Sequence, residues 1–298
     1  MKPAPRVDTY MNVDIGGAIE DGLRRTATQT GAILVGLFVA VGVAMGAAMN
    51  SLVVTLLTET FDLRPAFEES PEITYEQFVQ QIQASSPLDV VDAPAAVLLG
   101  LVVVVWLAQT VVQIGAIRWY VEKRTGSLEV GLFTRRLLWT LGNLVVGFLL
   151  FAAVVFVAPL VVVGIAAAVN PLLGVAALLA ALVAMVFLFV ALFFYNYDIV
   201  VEGSNALDAL VNSWELTAGN RVRLFALGLL VGIAGAVVGG LVSVITSVDP
   251  VVSTVVGQAV SAAVGVATLG IAAAAFVQLR GGSDREPEEV GALGPDDL

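Results

Sequence analysis

The chain has 298 residues, 58% of them hydrophobic and 13% charged, and its mean hydropathy of +0.94 is too apolar for a soluble globule. Its net charge is −11. Zero Cys and zero His exclude disulfides, thiolate catalysis and Cys-based metal sites, and remove the commonest general base and metal ligand.

A helical crossing of the hydrocarbon core needs about 20 apolar residues. After an amino-terminal segment, 1–13, an uncharged run between Arg25 and Glu59 predicts a first crossing at 31–57. The connection 58–92 follows, with eight carboxylates from Glu59 to Asp92. Within it Thr74 and Gln77 have the spacing of a capping box, and Tyr75, Phe78, Val79 and Ile82 form an i, i+3, i+4, i+7 stripe, which predicts a short amphipathic helix at 75–83. That helix is expected to pack on its own bundle; a lid or a binding surface is the alternative. A second crossing is expected at 93–117. The run from Leu137 to Tyr197 holds two more, 143–168 and 172–197, divided at Asn170-Pro171. The run from Leu224 to Leu279 holds the last two, 224–246 and 252–279, divided at Asp249-Pro250. The membrane domain thus spans 14–280, and the acidic tail 281–298, rich in Gly and Pro, is expected to be disordered. No cleavable signal is expected, because the first apolar segment is of full transmembrane length.

Orientation follows from the basic residues, in which cytoplasmic loops are enriched. Lys2, Arg6, Arg24 and Arg25, then Arg118, Lys123, Arg124, Arg135 and Arg136, then Arg221 and Arg223, and finally Arg280 and Arg285 lie on one side; only Arg64 lies on the other. Both termini are therefore expected in the cytoplasm of a cell-membrane protein. The acidic ends, with twelve Arg against two Lys, look like a halophile's solvated surface, with a cation-collecting mouth as the sharper alternative.

A weak internal repeat overlies this topology. Gly31, Gly142 and Gly219 each stand at the entrance of an odd-numbered crossing; Arg24-Arg25, Arg135-Arg136 and Asn212-Ser213 lie seven residues upstream, and Ile19, Val130 and Leu207 lie twelve upstream. Each copy reads as a cytoplasmic amphipathic helix, a glycine break and a transmembrane hairpin. The third copy is clearest: Leu207, Leu210, Val211 and Trp214 make an apolar stripe suited to the acyl boundary, with Trp214 at headgroup level. The expected fold is all-α: six transmembrane helices as three hairpins, each introduced by an interfacial helix. Arg24-Arg25 and Arg135-Arg136 are open to a headgroup or partner-docking role.

The stretch Val201-Glu202-Gly203-Ser204-Asn205-Ala206-Leu207-Asp208-Ala209-Leu210, continuing Val211-Asn212-Ser213-Trp214-Glu215-Leu216-Thr217-Ala218-Gly219-Asn220, resembles a recurrent segment. It is similar to the membrane domain fused to some glycerophosphodiester phosphodiesterases and to related bacterial and haloarchaeal multi-pass families. Glu202, Ala206, Ala209, Ser213, Trp214, Thr217, Gly219 and Asn220 carry the likeness, and no catalytic role attaches to them. These 298 residues hold no extra-membrane hydrolase domain, so the resemblance implies an integral membrane domain and not phosphodiesterase activity.

Ionisable groups at mid-bilayer would be the strongest functional signal, since each costs about 2.5–3.5 kcal/mol to insert. None is expected there: Arg118, Asp198, Glu202 and Arg280 sit at helix ends, where water makes them inexpensive. The polar residues within the crossings are Gln109 and Gln113, with Thr110 beside them, and Gln258 and Ser261, near Thr254. They are expected to form interhelical hydrogen bonds, with a polar substrate path as the alternative. Small-residue spacings at Gly42/Gly46, Gly228/Gly232, Gly235/Gly239 and Gly257/Ser261/Gly265 permit close helix contacts. No phosphate loop, nucleophile elbow or metal cluster is legible, and no catalytic residue, cofactor or nucleic-acid stripe is expected. The leading functional reading is a non-enzymatic module that organises lipid or a partner protein, including a second copy of itself. A transporter or channel for a small or amphiphilic solute is the alternative. A membrane enzyme working with Asp, Glu, Arg, Ser and Tyr near the interfaces is the third.

Overall fold

The computed structural model describes residues 13–57, 67, 74–84, 91, 93–122, 128–246 and 250–281, and is all-α. Six stretches are long and apolar enough to cross a membrane: Gln29–Thr55, Ala95–Val121, Leu137–Val169, Pro171–Glu202, Arg221–Val244 and Val256–Gly281. Their flanks expose large apolar side chains such as Val104, Ile165, Leu172, Val183 and Leu241, as a lipid solvent allows and water does not. This is a multi-pass membrane protein.

The elements in chain order are α1 (Ile15–Thr26), α2 (Gln29–Thr55), α3 (Tyr75–Ala84), α4 (Ala95–Val121), α5 (Val130–Thr134), α6 (Leu137–Ala152), a π-helical turn (Ala153–Val157), α7 (Ala158–Val169), α8 (Pro171–Ala191), α9 (Tyr195–Glu202), α10 (Ala206–Leu216), α11 (Arg221–Thr246) and α12 (Pro250–Gly281). They divide into two compact units. One comprises the described residues up to Gly22, Gly142–Gly228 and those from Ile271 on; the other comprises Leu23–Leu141 and Leu229–Gly270.

In the first unit α7 and α8 form a hairpin around Asn170, whose side-chain oxygen accepts from the Leu172 amide at 2.8 Å while Pro171 opens α8. The Asn-Pro turn expected from the sequence is thus present. The π turn ends two residues before Pro159, whose nitrogen cannot donate to the preceding helical turn, so the ladder is re-registered there. Phe151, Val155, Leu192, Tyr195, Ile199 and Ala209 form one core cluster, with Phe151 stacked on Tyr195 at 5.2 Å between centroids. Gly147 lets Tyr195 and Ile199 approach: a methyl there would stand 3.0 and 3.2 Å from them. The helix expected over 172–197 is not continuous. It stops at Ala191, turns through Leu192–Phe194 and resumes at Tyr195.

In the second unit α2 packs along α4. The capping box on α3 is reciprocal, as its spacing implies: the Gln77 amide donates to the Thr74 hydroxyl at 3.2 Å, and the Thr74 amide donates to the Gln77 side chain at 3.1 Å. Tyr75, Phe78 and Val79 are half-buried whereas Glu76, Gln77 and Gln80 are exposed, and the Tyr75 hydroxyl donates to the Leu57 carbonyl at 3.3 Å. The helix therefore packs on α2, its own bundle.

Two of the three expected glycine breaks are elsewhere. Gly31 lies inside α2, three residues after the N-cap Thr28, and needs no side chain because the Arg25 and Thr26 carbonyls lie against it. Gly142 lies inside α6, and the chain instead turns at Arg135-Arg136, with Arg136 in the left-handed region at φ 49. Only Gly219, at φ 79, occupies the break assigned to it. The interfacial helices differ likewise: α1 and α10 have 12 and 11 residues, but α5 has five. Close helix approaches are fewer than the glycine spacings suggest. A methyl at Gly42 would collide with Gln258, and one at Gly235 would stand 3.2 Å from Val264, but Gly228, Gly232, Gly239, Gly257 and Gly265 meet nothing within 4 Å. Asp249 of the expected Asp249-Pro250 turn, most of 58–92, the segment before Val13 and the tail after Gly281 lie outside the described residues.

Candidate functional site

The family-like stretch 201–220 belongs to the first unit and is built around the interruption after Ala191. A helix that stops inside an apolar layer leaves backbone donors and acceptors without partners, and each is costly there. Here α10 supplies them. The Ser213 hydroxyl accepts from the Phe194 amide at 3.1 Å and donates to the Ala191 carbonyl at 3.2 Å, so one side chain bridges both edges of the break. The Thr217 hydroxyl reaches the same carbonyl at 3.1 Å and the Trp214 carbonyl at 3.2 Å. Ser213 and Thr217 are almost fully buried, at 1% and 0% exposure, and lie four residues apart on one face.

The other motif residues also fasten backbone. Gly203 ends α9 at φ 74, which only glycine adopts without strain. Asn205 caps α10 by accepting from the Asp208 amide at 3.0 Å. Ala206 and Ala209 are buried, their small side chains letting α10 approach the core, and the Ala206 amide donates to Asn143 at 3.0 Å. Asn220 accepts from the Val13 amide at 3.2 Å, while Gln278 accepts from the Asp14 amide at 2.9 Å, so the start of the described chain is held from two sides. Glu202 pairs with Arg280. The bulky face of α10 points away from all this: Leu207 and Val211 are 64% and 56% exposed. Trp214 lies beneath the Arg221 guanidinium at 4.1 Å, and the same cation stands 4.8 Å from Phe187.

Asp198, Glu202 and Glu215 do not converge on one pocket. Asp198 accepts from Asn212 at 2.9 Å, Glu202 meets Arg280 and Glu215 is exposed. Among the described residues no group of His, Cys, Asp and Glu could hold a metal ion.

The intramembrane polar positions belong to the second unit. Gln109 and Gln113 are half-buried on α4, Gln258 is half-buried on α12 against Gly42 of α2, and Ser261 is exposed. Among the described residues none of the four makes a hydrogen bond, and Thr110 donates to the Trp106 carbonyl of its own helix at 2.9 Å. The Gln258 side chain lies in the notch left by Gly42.

Two polar features were missed in the sequence. Arg118 is not at a watery helix end; it is 3% exposed and donates to the Leu132 carbonyl at 2.9 Å and the Thr140 hydroxyl at 3.2 Å, tying α5 and the first turn of α6 to α4. Asp198, 8% exposed, is likewise buried by α10. Distance from the ends of an apolar run was a misleading guide, because short flanking helices cover those ends.

No curated protein and no solved structure matches the chain. Residues 13–279, from the amide held by Asn220 to the residue after Gln278, match a domain of unknown function, DUF7847, and the chain belongs to that family.

Proposed function

We propose that this protein is a non-enzymatic module of the cell membrane that organises lipid, or a partner protein, around its flanks. One observation carries the reading: the polar residues of the family-like motif are engaged in joining helices, with the Ser213 and Thr217 hydroxyls both directed at the Ala191 carbonyl. A nucleophile or a proton carrier needs a free approach that these groups lack. The bulky residues Leu207, Val211 and Trp214 face outward, a disposition suited to the acyl boundary. The resemblance to the membrane domain that accompanies certain phosphodiesterases supports the same reading, and the distribution of Arg and Lys favours cytoplasmic termini. The alternative, a path for a small or amphiphilic solute, is favoured by Asn50 of α2, whose buried side-chain nitrogen has no hydrogen-bond partner among the described residues.

The test is purification of the full chain from its native membranes, with mass spectrometry of retained lipid and protein. A reproducible, stoichiometric companion supports the module; recovery of bulk lipid alone, with solute flux in reconstituted vesicles, replaces it by the alternative. The absence of native Cys makes orientation directly readable: single cysteines placed at Tyr75 and Val130 are expected to label from opposite sides.

A further inference from the structure

The two contacts of Arg118, at Leu132 and Thr140, bracket a segment that lines a cleft. Between those anchors Thr134, Arg136, Leu137, Leu138 and Trp139 surround an open cavity of about 520 Å³. The lining is of two kinds. Leu138 and Trp139 are 85% and 53% exposed and present apolar surface, whereas Arg136 presents an exposed guanidinium. Its neighbour Arg135 is paired with Glu122 at 3.1 Å; among the described residues no carboxylate pairs with Arg136. The stretch Leu137–Val169, long and apolar enough to cross a membrane, begins one residue later, a position that suits this cation to headgroup depth and the leucines to the acyl boundary. Arg118, almost wholly buried, holds the framework on both flanks without entering the cleft.

We propose that the cleft binds the phosphodiester headgroup of an anionic phospholipid. Arg136 supplies charge and paired N–H donors to the phosphate oxygens, Trp139 places its indole at the interface, and Leu137 and Leu138 meet the upper acyl chain. A free phosphate would leave the leucine side without a partner, and a protein would have to displace lipid from a residue that opens a membrane crossing. The inference rests on the lipid-organising reading above and names the lipid class and the site.

Native mass spectrometry of the full-length protein, released from micelles doped equally with phosphatidylglycerol and phosphatidylcholine, tests it. The wild-type protein is expected to retain phosphatidylglycerol about fivefold or more over phosphatidylcholine, the preference one well-placed cation gives at a membrane surface. Arg136→Gly deletes the guanidinium while accepting the left-handed backbone, so it should fold and lose about fivefold of that preference. Arg136→Lys should keep most of it, and Arg223→Gln, an equal change of net charge elsewhere, should change it less than about twofold. A wild-type protein without preference, equal losses in Arg136→Gly and Arg223→Gln, or displacement of the lipid by millimolar inorganic phosphate would each overturn the assignment. If Arg136→Gly keeps its preference while native membranes still yield a specific companion, the cleft fails and the module stands. If native membranes yield none, the wider reading fails as well.

Discussion

At the entrance to α11 the chain leaves α10 through Thr217–Asn220, with Gly219 at φ 79, and the neighbouring break at Ala191 is closed by two hydroxyls. At the entrance to α6 the chain leaves α5 through Arg135-Arg136, with an arginine at φ 49, and the fastening is a single buried guanidinium from α4. Both segments lead into a long apolar helix, yet one has an eleven-residue helix before it and the other a five-residue one. The difference shows that the turn follows the backbone partner offered by a neighbouring helix more than it follows glycine. Neutral hydroxyls need their acceptor within one helical face, whereas an arginine fork reaches two acceptors on separate elements and draws the turn towards itself.

The largest expected effect breaks the charged fastening. Arg118→Met should destabilise the protein by about 3 kcal/mol, because the Leu132 carbonyl and the Thr140 hydroxyl lose a charged donor in a buried place; denaturant unfolding in micelles measures it, and a change below ~0.5 kcal/mol would remove Arg118 from the account. Next comes the neutral fastening. Ser213→Ala with Thr217→Val should cost about 2 kcal/mol and abolish amide-exchange protection at Phe194, while either change alone should cost less than half, since the Ala191 carbonyl keeps one hydroxyl. A reciprocal pair then sharpens the contrast. Arg136→Gly should stabilise by about 1 kcal/mol and Gly219→Ala destabilise by about 1 kcal/mol, since one relieves and the other creates left-handed strain; shifts of the same sign in both variants would refute the turn geometry. The smallest effect is on α3, where Thr74→Ala should lower local stability by about 0.5–1 kcal/mol, read as faster exchange of the Gln77 amide.

Much of the local structure was legible. The capping box at Thr74 and Gln77, the Asn170-Pro171 turn and the Gly219 break all depend on short-range geometry, and each appears where its spacing implies. The motif residues were found by their pattern, but their task was not: Ser213 and Thr217 gain meaning only from a break nineteen or more residues away that nothing in the aromatic run Phe193-Phe194-Tyr195 announced. Arg118 was misplaced for a related reason. Its position near the end of an apolar run implied water, and the covering by α5 and the start of α6 is a long-range event.

The apolar runs and the local caps can be read from the residues alone, because hydrocarbon demands about 20 apolar residues per helix and caps act within one turn. Long-range packing selects which carbonyl each hydroxyl and guanidinium satisfies, where α8 stops, and that the turn before α6 falls on arginine. Those choices depend on groups far apart in the chain meeting in a medium where an unpaired backbone polar group is too costly to leave alone.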